Sequence, residues 1–264
     1  MADWKQRLAI ISDEAEDSFD KAVEICLPLG IRAYEIRKLD GGRFPNVTNE
    51  AIQQVIEMVE AHDLKLIGVS PGFFKETLEH HTTQEAFQNG FPEAFRLMDK
   101  LNIRRMTVFT FKREGGRDVP IPESVFEYLR RAAELCNQEG VELILENSAS
   151  SWGDSGRNLA RIAEAIGIGV TWDPGNATAS GEVAYPDGYG CVRDQIVHVH
   201  FKNWHPDQGN VAIQEGVADM AGQVKALQTD GYAGYYCIEP HQWQDRANAV
   251  IKNRGQLLRL LNGE

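Results

Sequence analysis

The stretch Ile196-Val197-His198-Val199-His200-Phe201-Lys202 alternates apolar and polar side chains without a break. That period of two puts Val197, Val199 and Phe201 on one face of a strand and His198, His200 and Lys202 on the other. One face is fit to pack under helices, and the other carries ionisable groups into a lumen. Similar short runs rich in Val, Ile and Leu occupy 8–12, 33–37, 64–70, 105–109, 142–146, 169–173, 196–202 and 235–239. Most are separated by an amphipathic stretch of helical period, the pattern of repeated βα units. Eight such units close a barrel, so the expected fold is α/β, a single-domain (β/α)₈ TIM barrel over residues 1–264.

Helix punctuation agrees. Thr48 and Asn49 can cap the run 50–62, Pro122 suits the first turn of 123–139, and Gly30 and Gly140 follow the ends of helical runs. The segment 181–194 contains Gly181, Pro186, Gly188 and Gly190 and is expected to be mostly loop with one short helix. No low-complexity linker divides the chain. A dinucleotide-binding fold is excluded because Ile11 is followed by Ser12-Asp13-Glu14-Ala15, with no Gly-x-Gly-x-x-Gly.

The formal net charge of -12 argues against a nucleic-acid partner, which demands clustered Lys and Arg. Cys26, Cys136, Cys191 and Cys237 are scattered and read as buried free thiols. The N-terminus lacks a signal-peptide core, and no window approaches the roughly 20 apolar residues of a membrane span. A cytoplasmic protein with no membrane partner is the expectation. Pairing into a homodimer is compatible with this barrel class, although no sequence feature names an interface.

A barrel strand buries both faces, so an inward ionisable group costs several kcal/mol (about 2–5) unless it is paired or binds a metal. Glu146 shares a face with Ile144, Asp173 with Thr171, and Glu239 with Cys237, and each acid ends its strand. With His200, strands five to eight thus each deliver a ligand to the C-terminal rim, where barrel active sites are built. Two Glu, one Asp and one His form a hard set suited to a single divalent ion, Mn²⁺ first, with Mg²⁺, Co²⁺ and Zn²⁺ also compatible. The excess negative charge suggests proton chemistry. His198 lies deeper and is expected to hydrogen-bond rather than ligate. Glu35 and Arg37 alternate on the inward face of strand two, so with Lys202 they are candidates to orient substrate, an Arg37–Glu35 ion pair being the alternative. Trp152, Trp204 and His205 follow ligand strands and are candidates for a wall around a sugar ring. Lys112 and Arg113 could meet a phosphate, but no Gly-rich cradle accompanies them, which favours a non-phosphorylated or carboxylated polyol.

The segments Leu-Ile-Leu-Glu146-Asn147, Thr-Trp-Asp173-Pro-Gly-Asn176, Ile-Val-His198-Val-His200-Phe-Lys202-Asn203 and Ile-Glu239-Pro-His241 resemble the sugar phosphate isomerase/epimerase family of xylose-isomerase-like barrels, as does the turn 214–219 ending in Asp219. The resemblance implies that Glu146, Asp173, His200 and Glu239 ligate one divalent ion and that Glu146 and Glu239 also move protons. It departs at Asn176, where relatives often carry His, and at Trp152, where they often carry a second Glu; both are therefore candidates for substrate contact. The implied function is isomerisation or epimerisation of a sugar, keto-sugar or related polyol, phosphorylated or not, through an enediolate. The rivals are a dehydratase or lyase of a keto-polyol such as an inosose, a non-catalytic sugar-binding barrel, and an apurinic-site endonuclease. The last needs a richer His cluster and a basic groove, whereas His62, His80, His81 and His205 lie outside these strand ends.

Overall fold

The computed structural model describes residues 4–117 and 119–264. Eight parallel strands, β1 (Leu8–Ile11), β2 (Ala33–Ile36), β3 (Lys65–Val69), β4 (Arg105–Val108), β5 (Glu142–Glu146), β6 (Gly169–Trp172), β7 (Ile196–Phe201) and β8 (Tyr236–Ile238), pair in chain order and close β8 onto β1. Between them run α1 (Phe19–Cys26), α2 (Asn49–His62), α3 (Phe91–Lys100), α4 (Glu123–Gln138), α5 (Gly156–Ile166), α6 (Pro174–Ala179) and α7 (Met220–Thr229), and α8 (Arg246–Asn262) follows β8. The expected TIM barrel is observed. Strand ends fall within a residue of the sequence reading, and most of the overhang is at C-termini: Arg37, Asp173, Lys202 and Glu239 stand just past their ladders, where the chain leaves the sheet and side chains can converge over the barrel mouth.

Alternation decides the two sides of each strand. Leu8, Ile10, Tyr34, Leu143, Leu145, Val170, Trp172, Val199 and Phe201 pack outward into one core with the helices. Burial of each such side chain contributes about 1.5–3 kcal/mol. Ala9, Ile11, Ala33 and Cys237 form a small lumen cluster of their own. That plug leaves the upper lumen to Glu35, His198 and His200.

Local signals act largely as expected. The Thr48 hydroxyl accepts a hydrogen bond from the Ala51 amide at 3.1 Å and starts α2. Gly140 adopts φ +66° just beyond α4, a conformation in which a side chain would be strained. Pro122 is displaced from expectation by one position: at ψ 145° it is the extended residue that precedes α4 rather than part of its first turn. The segment 181–194 is more ordered than expected, with turns on either side of the short helix Tyr189–Val192. Cys191 on that helix is exposed, which corrects the expectation of four buried thiols; all four cysteines are unpaired. Among the described residues no helix is long and apolar enough to cross a membrane.

Two antiparallel hairpins were not anticipated: Lys38–Leu39 with Gly42–Arg43, and Asn203–His205 with Gly209–Val211. The first carried a legible signal, since Asp40-Gly41 takes positive φ at both positions, as a two-residue hairpin turn requires. The second is pinned by Asn203. Its side chain accepts from the Trp204 and Ala218 amides and donates to the Ile213 and Ala218 carbonyls, all within 3.1 Å. Gly216 is required beside it, because a Cβ there would lie 2.2 Å from the Asn203 oxygen. Replacing Asn203 by Ala strands these backbone groups and is expected to cost about 1–3 kcal/mol. Urea unfolding measures this, and an unchanged midpoint would show that the loop does not depend on Asn203.

Candidate metal centre

Glu146 is the last residue of β5, Asp173 follows β6, His200 lies near the end of β7, and Glu239 follows β8. All four are buried, and each offers a ligand atom within 4.8 Å of the others. Local sequence explains how they converge. The Asn147 side chain donates to the Asp173 carbonyl and accepts from the Asp173 amide, both at 2.8 Å, locking the ends of β5 and β6 together. Asp173 also caps α6, with Oδ1 accepting from the Asn176 amide at 2.9 Å, which leaves Oδ2 for the site. Gly175 is needed next to it, since a Cβ would lie 2.7 Å from Lys202.

Beneath this set, Glu35 Oε2 meets His200 Nε2 at 3.0 Å and His198 Nε2 at 2.9 Å. His200 Nδ1 therefore points up toward Glu146 Oε1 at 3.3 Å and Glu239 Oε2 at 3.5 Å. A carboxylate on the far nitrogen of a histidine fixes the ring's orientation and raises its basicity, the arrangement that supports metal-bound imidazoles. Burial alone would strip the proton from His200, but Glu35, Glu146 and Glu239 outweigh it and push its pKa well above the usual value. Burial lowers that of His198, against the opposing pull of Glu35. The two imidazoles in turn hold Glu35 well below the usual carboxylate range despite its burial.

Glu239 is gripped from three sides: Lys202 Nζ at 2.8 Å, Arg37 Nη1 at 2.8 Å and His241 Nε2 at 3.0 Å. Lys202 also lies 2.6 Å from Asp173 Oδ2. Despite the cost of burial, Lys202, His241 and His200 hold the Glu239 carboxyl well below its ordinary pKa. Glu146 has lighter contacts, with Asn176 Nδ2 at 3.3 Å and His200. Asn176 thus touches Glu146 directly and donates to the Asn147 carbonyl at 2.9 Å.

Several candidates sit differently from the sequence reading. Arg37 makes no pair with Glu35; it binds Asp13 at 2.8 Å, Glu14 at 2.5 Å and Glu239. Glu35 lies below the ligand set, 1% exposed, instead of on an accessible wall, whereas His198 is as deep as expected and hydrogen-bonds to Glu35. Trp152 is buried in the outer core behind the β4 and β5 loops. Arg113 is consumed by a buried ion pair with Asp154. Trp204 and His205 stand half-buried on the second hairpin. Asp13, Glu14 and His241 were missed. Their signal was present in Ser12-Asp13-Glu14, two consecutive acids at a strand end, and in His241 close to Glu239, since a closed barrel sets its first and last strands side by side.

Six buried carboxylates (Asp13, Glu14, Glu35, Glu146, Asp173 and Glu239) surround two buried cations, Arg37 and Lys202. Even with His200 protonated, the cluster is short of positive charge, and burying that excess is expensive. The donor set therefore fits a divalent cation, which Glu146, Asp173, Glu239 and His200 Nδ1 could hold. Such an ion must displace the His200 proton, and lower pH favours the proton. Mn²⁺ affinity is accordingly expected to rise steadily between about pH 6 and pH 8 in titration calorimetry; a flat profile would remove His200 from the ligand set.

The fold has counterparts. The IOLI protein, solved with a bound zinc atom, has a TM-score of 0.79 at 14% identity over 97% of this chain and 98% of that one. The probable 3-DHS dehydratase AsbF from Bacillus anthracis gives 0.77 at 13% identity, over 96% and 98% of the two chains. An L-ribulose 3-epimerase gives 0.74 at 17%, over 97% and 95%. At these identities the likeness is one of fold. No curated protein matches in sequence. The sequence pattern of the xylose isomerase-like TIM barrels matches residues 23–259, in keeping with the strand-end motifs, and the chain belongs to that family.

Proposed function

We propose that this protein is a divalent-metal-dependent isomerase or epimerase of a sugar, keto-sugar or related polyol, with Glu146 and Glu239 as the proton-transfer groups. The observation that carries this reading is the pair of glutamates meeting at one imidazole nitrogen, at 3.3 and 3.5 Å from His200 Nδ1, in a buried set of four hard donors. Mn²⁺ is the proposed ion; when bound, a divalent cation polarises a substrate carbonyl and lowers the energy of the enediolate left by proton removal.

The remaining work falls to side chains. Glu146 and Glu239 come from β5 and β8, on either side of Asp173 and His200, and can address opposite faces of a planar enediolate. One takes the proton and the other returns it, giving epimerisation; a single glutamate carrying it between adjacent carbons gives isomerisation. Arg37, Lys202 and His241 fix the Glu239 carboxylate, and Asn176 steadies Glu146, so neither must be ordered during the reaction. Lys202, Asn176, Trp204 and His205 are the proposed substrate contacts, with Glu35 and His198 supporting the site from beneath and Trp152 backing its wall. The proposed setting is the cytoplasm, where four unpaired thiols are stable.

Incubation with Mn²⁺ and a panel of ketoses, keto-acids and inososes in D₂O tests the assignment by NMR. Deuterium entering the carbon next to the carbonyl, with no loss of mass, is the expected result. Loss of one water would move the assignment to a dehydratase, and absence of exchange together with absence of bound metal would overturn it. Glu146→Gln and Glu239→Gln are each expected to slow exchange by about 10²-fold or more while some metal is retained. A wild-type rate in either variant removes that residue from proton transfer.

A further inference from the structure

An acidic group on a substrate must meet a cation that no resident carboxylate already holds. Most cations around the mouth are claimed: Arg37 by Asp13, Glu14 and Glu239, Lys202 by Asp173 and Glu239, and Arg113 by Asp154. Lys75 and Lys112 are different. Neither has an ion-pair partner among the described residues, and both line one cleft of about 270 Å³ at the C-terminal face. The floor of that cleft includes Phe109 and Ser148 to Ser151, the segment that leaves β5 directly after Glu146 and Asn147.

The cleft is built in advance. Backbone hydrogen bonds zip three loops together: Phe111 N to Phe74 O at 2.9 Å, Lys112 N to Glu76 O at 3.0 Å, and Arg113 N to Ser150 O at 2.8 Å. Each loop contributes one residue in the left-handed region, Phe74 at φ +65°, Phe111 at +60° and Ser150 at +63°. Such conformations cost energy in residues with side chains and persist where surrounding structure enforces them, often at ligand clamps. Phe74 and Phe111 stack with centroids 4.6 Å apart and brace the turns. The Lys75 ammonium lies 4.2 Å from the centre of the Phe109 ring, a placement that steadies it without neutralising it. Although Lys75 is open to solvent, desolvation within the recess pushes its pKa down to about 8, against the opposing pull of Glu146 and Glu239.

We infer that the Lys75–Lys112 cleft is a subsite for a carboxylate on the substrate, making the preferred substrate a sugar acid or other acidic polyol. This rests on the reaction proposed above. Two lysines against one acid, Glu76, match a singly charged group. A phosphate dianion fits less well, because the amides of Phe111, Lys112 and Arg113 already donate to carbonyls and form no cradle.

The test compares a ketose with the keto-acid of equal chain length whose far CH₂OH is a carboxylate, by Mn²⁺-supported deuterium exchange. Wild type is expected to favour the acid in kcat/KM by about fivefold or more. Lys75→Met removes that preference, and Lys75→Arg keeps it; circular dichroism and metal content confirm that both variants are intact. No preference in wild type, or an equal preference in Lys75→Met, overturns the subsite. A matched sugar phosphate that outcompetes the acid overturns the carboxylate assignment. Saturation-transfer NMR of the keto-acid on the Mg²⁺-loaded protein separates the two proposals: lysine-dependent binding without exchange of any substrate sustains the subsite and removes the isomerase, whereas exchange with lysine-independent binding does the reverse.

Discussion

The concentration of carboxylates in the barrel mouth is the constraint on which the rest of the architecture depends. Asp13, Glu14, Glu35, Glu146, Asp173 and Glu239 come from β1, β2, β5, β6 and β8 or the turns just beyond them, and all are buried. Left unpaired, any one would cost more than a typical apolar contact returns. The fold resolves this in layers. Two histidines on β7 hydrogen-bond Glu35 from inside the lumen, Arg37 ties the β1 turn to β8, and Lys202 bridges β6 and β8. These ties also stitch the barrel together across its closure between β1 and β8.

That distribution makes the two glutamates unequal. Glu239 is held by Lys202, Arg37 and His241, whereas Glu146 touches an amide and an imidazole. A carboxylate fixed by three donors is well oriented, and its negative charge is already shared; Glu146 is oriented by fewer contacts. His241 contributes through a left-handed backbone at φ +51°, and its amide donates to Glu14 at 2.7 Å. The strained turn after β8 is thus anchored by the acid pair that follows β1.

The opposite side of the mouth follows another logic. Loops after β3, β4 and β5 are joined by backbone hydrogen bonds and stacked aromatic rings, and Lys75 and Lys112 have no carboxylate partner among the described residues. Charge is satisfied where the chemistry is placed and left open where a ligand can complete it. Asn147 links the two regions, since it fixes Asp173 and begins the loop that floors the lysine cleft.

Alternation within short apolar runs, a local property with a period of two, was enough to identify all eight strands, the inward face of strands two and five to eight, and the four ligand candidates at their ends. Helix starts at Thr48 and the turn at Gly140 were legible for the same reason, because caps and left-handed glycines act within a few residues. Partner choice was not local. Glu35 is three residues into β2, yet its carboxylate binds histidines 163 and 165 positions away. Arg37 bypasses Glu35 for Asp13, Glu14 and Glu239 because it reaches across the end of β1, which pairs with β2 on one side and β8 on the other. Trp152 followed a ligand strand like a wall residue, but the loop turned it into the outer core. The sequence by itself determined which residues face the lumen, since facing depends on the pleat. Only the tertiary structure decided which of them meet, because that depends on how a closed ring of strands brings distant ends to a common centre.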